Sequence, residues 1–220
     1  MKLRMVPARQ GAVWVKMGMR TFFKQPLALS GLFFLFMAAM SVLSMVPVLG
    51  SIVALTLLPA ATLGLMAATQ ETTKGKLPMP TVLVSALPAG QQQLRGMLVL
   101  GGLYALGFLL VMALSALVDG GQFARLYLVG GELSAELLMQ SDFEWAALTA
   151  MALYLPLSLL FWHAPALVHW HGISPVKSLF FSMVACTRNF WAFTVFGLTW
   201  LAAFLGMGLA VAIVSALLGN

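Results

Sequence analysis

Residues 27–69 read LALSGLFFLFMAAMSVLSMVPVLGSIVALTLLPAATLGLMAAT, two long apolar runs joined by a short turn, with no charged side chain. The hydrocarbon core of a bilayer is about 30 Å thick, and an α-helix rising about 1.5 Å per residue crosses it in about 20 residues. Each run, 27–46 and 52–69, has about that length. The turn Pro47-Val48-Leu49-Gly50-Ser51 is too short for anything but a tight hairpin, so the second run returns directly. Open backbone cannot satisfy its N–H and C=O groups in lipid, so spans of this composition are helices.

Working outward, the same criterion selects 97–117, 145–168 and 190–218, the last long enough to tilt or to begin in the interface. The 220-residue chain is 61% hydrophobic and 8% charged, where a soluble domain has about 45–50% and about 25%. A water-soluble protein is excluded. The expected fold is all-α, a polytopic transmembrane bundle of about five spans forming one integral membrane domain over 1–220, with in-plane amphipathic helices on the cytoplasmic face. The first run follows six Lys/Arg and is longer than the roughly 7–15-residue apolar core of a cleavable signal peptide, so it reads as a retained span.

Orientation follows from the basic residues, which stay on the cytoplasmic side during insertion. With the N-terminus inside, that side receives Lys2, Arg4, Arg9, Lys16, Arg20, Lys24, Lys74, Lys76, Arg95, Lys177 and Arg188, eleven of the twelve. Only Arg125 falls outside, in the loop 118–144, together with Asp119, Glu132, Glu136, Asp142 and Glu144. The expectation is N-in, C-out, which requires an odd number of spans. The charge of +6 therefore reads as membrane topology and not as a nucleic-acid surface, which needs a basic face on a soluble domain.

Two inner segments read as helices lying in the membrane plane. Over 11–24, Lys16, Arg20 and Lys24 recur every four residues on one face, while Trp14, Val15, Met19, Phe22 and Phe23 cover most of the remaining arc. Over 174–189, Ser174-Pro175 supplies an N-cap and a first-turn proline, and Lys177 and Arg188 share a face eleven residues apart. These five cations are the candidate lipid-phosphate contacts. A third segment, 80–95, is weaker, being broken by Pro88 and Gly90.

Met17-Gly18-Met19-Arg20-Thr21-Phe22-Phe23-Lys24-Gln25-Pro26, the block Phe161-Trp162-His163-Ala164-Pro165-Ala166-Leu167-Val168, and Lys177-Ser178-Leu179-Phe180-Phe181-Ser182 followed by Arg188-Asn189-Phe190-Trp191 carry a resemblance. The chain resembles, over nearly its whole length, a family of uncharacterised multi-pass inner-membrane proteins of Gram-negative bacteria. The resemblance implies a bacterial inner (cytoplasmic) membrane location and an all-helical fold; with the orientation read from the basic residues, the C-terminus is expected to be periplasmic. It brings no activity, ligand or catalytic residue with it.

Ligand-like spacing occurs once, at His163, His169 and His171. Imidazole is the commonest metal ligand, but on a continuous helix residues 169 and 171 lie about 200° apart, and no Cys, Asp or Glu stands nearby to complete a tetrahedral set. The alternative is an interfacial belt with Trp162 and Trp170, which is the favoured reading. Asp142 and Glu144 read as a solvated acidic face in preference to a divalent-ion site. The single cysteine, Cys186, forms no internal disulfide.

The five apolar stretches contain no Asp, Glu, Lys or Arg, which argues against a proton relay or intramembrane acid–base chemistry. Pro59 and Pro156 permit kinks, and Ala60-x-x-x-Gly64-x-x-x-Ala68, Gly101-x-x-x-Ala105 and Gly206-x-Gly208-x-Ala210-x-Ala212 offer small faces for close helix contact, mostly within the monomer. The expectation is a non-enzymatic structural or accessory membrane component, without cofactor or metal, contacting anionic lipid headgroups or a partner complex. A homo-oligomer or a membrane-protein partner is compatible with it. The alternative is a permease or channel for a neutral or lipidic solute that uses the kinked second and fourth spans.

Overall fold

The computed structural model describes residues 3–46, 48–85 and 90–218. Lys2 of the basic count, Pro47 of the hairpin turn and Pro88 of the expected break lie outside the described residues. Among the described residues ten α-helices follow in order: α1 Gln10–Phe22, α2 Pro26–Ser44, α3 Leu49–Thr73, α4 Gln91–Asp119, α5 Gln122–Val129, α6 Ala135–Leu138, α7 Ser141–Phe161, α8 Ala164–His171, α9 Pro175–Arg188 and α10 Phe190–Leu218. A 3₁₀ turn covers Pro80–Val84. Among the described residues there is no strand.

Among the described residues five helices are long and apolar enough to cross a membrane: α2, α3, α4, the run Ser141–His171 formed by α7 and α8, and α10. They coincide with the five expected spans. Their ends overrun the apolar stretches where the flanks favour helix, as at Gln91-Gln92-Gln93-Leu94-Arg95, six residues ahead of the expected start of the third span. The loop 118–144 is not irregular but contains α5 and α6.

The contacts divide the chain into two compact units, one made of the segments up to Gln25 and from Val184 onward, the other Pro26–Met183. In the second unit α4 is the central helix, packed against α3 and α7. Lipid is as apolar as leucine, so helices here associate through close packing and satisfied polar groups, with little help from hydrophobic burial. Small residues allow it. A side chain on Gly101 of α4 would strike the carbonyl oxygen of Thr56 on α3, and one on Gly64 would meet the backbone of Leu83 in the 3₁₀ turn. The small faces of the second and third spans thus serve packing inside the unit, as expected. Gly50 does the same for the hairpin, closing α3 onto Leu43 of α2.

Several polar groups in this apolar setting are paired. Thr56, Thr62, Thr69 and Thr72 each donate their hydroxyl to the carbonyl four residues back in α3. The Tyr104 and Tyr154 hydroxyls meet at 3.3 Å between α4 and α7, with the Tyr104 ring edge-on to Phe161 at 5.0 Å. Asp119, which the sequence places among the outer-loop acids, is a buried cap: its carboxylate accepts the N–H groups of Gly121 and Phe123 at 2.8 and 2.6 Å and turns α4 into α5.

The fourth span is interrupted at Trp162-His163. In an unbroken helix the N–H of His163 would donate to the carbonyl of Leu159. Instead the Ser182 hydroxyl stands between them, accepting from His163 N at 2.9 Å and donating to Leu159 O at 2.7 Å. A hydroxyl inserted into the ladder is a recognised cause of a kink, and Pro165 in the next turn has no N–H with which to resume it. Pro156, by contrast, lies within continuous helix.

Candidate functional site

In the first unit α1 packs against the opening turns of α10. Gly11 makes that approach possible, since a Cβ there would overlap the carbonyl oxygen of Ala192 and crowd Phe196 N. Trp14 sets its indole edge-on to Phe193 and Phe196 at 5.5 and 6.5 Å, and Val15 is buried. The segment ahead of α1 is held by Asn189, whose side-chain carbonyl accepts Val6 N at 2.9 Å and whose amide donates to Arg4 O and Ala185 O at 3.2 and 2.9 Å. Trp14 and Val15, read from the sequence as part of the lipid-facing arc, are therefore spent on α10. Met19, Phe22 and Phe23 stay exposed.

Lys16 and Arg20 are exposed on α1. The helix ends at Phe22 and not at Lys24, because the chain tightens there: Phe23 N donates to Met19 O and Lys24 N to Thr21 O. Lys24 still joins the others. All three cations line one open groove of about 580 Å³ with Ala12, Val15, Met19, Phe23 and Thr199. Among the described residues none of the three cationic side chains has an ion-pair or hydrogen-bond partner. Every acid of the chain other than Glu71 stands at 119–144, so sequence alone places no carboxylate near them in the chain.

The remaining candidates are scattered. Lys177 and Arg188 sit exposed near the two ends of α9, which starts at Pro175 as expected. The helix buries a small stripe of Ser178, Ser182 and Cys186, which sequence reading missed; spacing of four on a weakly apolar helix was the available signal. α8 continues through His171 and is closed by left-handed Gly172, so His169 and His171 project about 200° apart. His163 ends the preceding break, and its backbone N–H belongs to Ser182. Among the described residues no group of three His, Cys, Asp or Glu converges on a common point. Asp142 and Glu144 occupy the first turn of α7, where carboxylates complement the helix dipole. A second groove of about 610 Å³, also missed, runs between the start of α4 at Gln91 to Arg95 and the Gly172-Ile173-Ser174-Pro175 link.

Five long apolar helices among the described residues define a multi-pass integral membrane protein of all-helical type. A Burkholderia thailandensis protein named a "probable inner membrane protein" is 42% identical over 222 aligned positions, spanning all of this chain and 82% of that relative. The chain belongs to that protein's family, and it is an inner-membrane protein. No family model matches it, and no solved structure matches it.

Proposed function

We propose that the protein is a non-enzymatic accessory component of the inner membrane, with a cytoplasmic N-terminus and a periplasmic C-terminus, whose α1 engages anionic lipid headgroups at the cytoplasmic surface. The observation that carries this is the row Lys16, Arg20 and Lys24, exposed, aligned and, among the described residues, without a carboxylate partner. A cation near an anionic membrane surface contributes about 1 kcal/mol, so three contribute about 3 kcal/mol, a preference that weakens with salt. The orientation rests on the eleven-to-one basic bias, and the lack of enzymatic chemistry on apolar stretches free of Asp, Glu, Lys and Arg.

The test uses the full chain, because α10 occupies a face that an isolated α1 peptide would turn toward lipid. In bilayers of mixed composition, spin-labelled anionic and zwitterionic phospholipids report how strongly each is held at the protein surface. Anionic lipid is expected to be preferred several-fold, with the preference lost at high salt and in the Lys16→Gln/Arg20→Gln/Lys24→Gln variant. Equal retention of both lipids by the wild-type protein defeats the reading.

A further inference from the structure

We infer that the groove between α1 and α10 is a discrete site for a single anionic phospholipid, a step beyond general surface attraction that rests on the lipid-contact reading above. The groove has two chemically distinct parts. Ala12 and Met19 of α1 and Phe23 just past its end follow one another at intervals of seven and four and, with buried Val15, form an apolar wall. Lys16, Arg20 and Lys24 stand beside that wall and supply three positive charges. The volume, about 580 Å³, lies within the roughly 300–1,000 Å³ typical of small-molecule sites.

An occupant has to answer both parts. A free phosphate would satisfy the cations and leave the apolar wall wet, whereas a neutral lipid would cover the wall and leave three charges without counterion. An anionic phospholipid does both, its phosphate among Lys16, Arg20 and Lys24 and the start of an acyl chain along Ala12, Met19 and Phe23. Thr199 closes the α10 side. Its hydroxyl proton goes to Val195 O at 2.7 Å, so it offers the groove only lone pairs and a methyl group. The first unit contains no Asp or Glu, so charge complementarity for the three cations must come from outside that unit. Arg20 presents the planar fork suited to two phosphate oxygens, and the two lysines add point charges around it.

The experiment compares the full-length protein with two variants by native mass spectrometry from mild detergent, after incubation with defined mixtures of phosphatidylglycerol and phosphatidylethanolamine. Ala12→Trp fills the groove without altering charge, since Ala12 is exposed and lines it. Lys16→Gln/Arg20→Gln/Lys24→Gln removes the charge and leaves the wall. Protection of buried Cys186 from alkylation checks that each variant keeps its fold. The wild type is expected to carry one phosphatidylglycerol, reduced at least tenfold in both variants. A one-to-one adduct that survives Ala12→Trp, an equal adduct with phosphatidylethanolamine, no adduct at all, or a mass corresponding to a second copy of the chain each overturns the site. Loss of the spin-label preference in the wild type is a separate result and counts against the proposed function.

Discussion

Gly11 and Ala192 meet backbone to backbone, with no room between them for even a methyl group. That contact sets how closely α1 approaches α10, and with it the seat of Trp14 and the width of the cationic groove.

Replacing Gly11 by valine is therefore expected to push α1 off α10. Overpacking of this kind costs about 1–3 kcal/mol, offset only slightly by the better helix propensity of a residue with a side chain. The readout is Cys186, the sole cysteine, buried and in the same unit. Its alkylation by a small maleimide should quicken about 5- to 150-fold if opening and closing are fast relative to the reaction. An unchanged rate would show that the close approach is dispensable.

Asn189→Ala removes three hydrogen bonds at once and leaves the Val6 N–H and the Arg4 carbonyl without the partner they have here. Orphaned groups of this type cost about 1–3 kcal/mol where water cannot reach them. Trypsin should cut after Arg4 and Arg9 markedly faster in the variant. Asn189→Asp, which keeps the acceptor for Val6 and loses both donors, should fall between the variant and the wild type. Identical digestion of all three would remove Asn189 from this role.

Ser182→Ala withdraws the bridge between His163 N and Leu159 O. The melting temperature of the detergent-solubilised protein should fall, by an amount corresponding to about 1–3 kcal/mol, unless α7 and α8 straighten to pair those groups directly. Ser182→Gly should be at least as damaging, because glycine adds backbone entropy in α9. Melting curves that overlay the wild type in both variants would show that the hydroxyl is incidental.

The eleven-to-one distribution of basic residues gives a direct topology test. Alkaline phosphatase fused after Leu218 should be active, as that enzyme is in the periplasm, and a cytoplasm-dependent fluorescent protein at the same point should stay dark. The reverse pattern would invert the chain and place α1 on the wrong side for the proposed lipid contact.

Most of the fold was legible in the sequence because bilayer thickness turns apolar run length into span number, and no local propensity contradicts it. The start of α4 was not. Gln91 to Arg95 are good helix formers outside hydrocarbon, and a reading by hydropathy stops where polarity begins. The row Lys16, Arg20 and Lys24 was legible because four-residue spacing is a local property. What α1 does with its apolar arc was not, since lipid and a neighbouring helix are equally good partners for Trp14 and Val15, and only the fold chooses between them. Ser182 and Asn189 were missed for a related reason. Each makes its decisive bonds far along the chain, at separations of 19 and 183 residues, and nothing beside them in the sequence points there.

The first unit is stitched from two stretches of chain that are not synthesised together. At roughly 5–20 residues per second, Val6 waits roughly 10–40 s for Asn189 to leave the ribosome. Throughout that interval Trp14 and Val15 have no α10 to sit against, while α2 and α3 can already be inserting. A nascent chain must therefore park α1 on the membrane surface or in the care of the insertion machinery, then move it once α10 has emerged. Ribosome-bound chains in which α10 has not emerged and chains released from the ribosome should accordingly differ in whether Trp14 is accessible to quenchers dissolved in the bilayer.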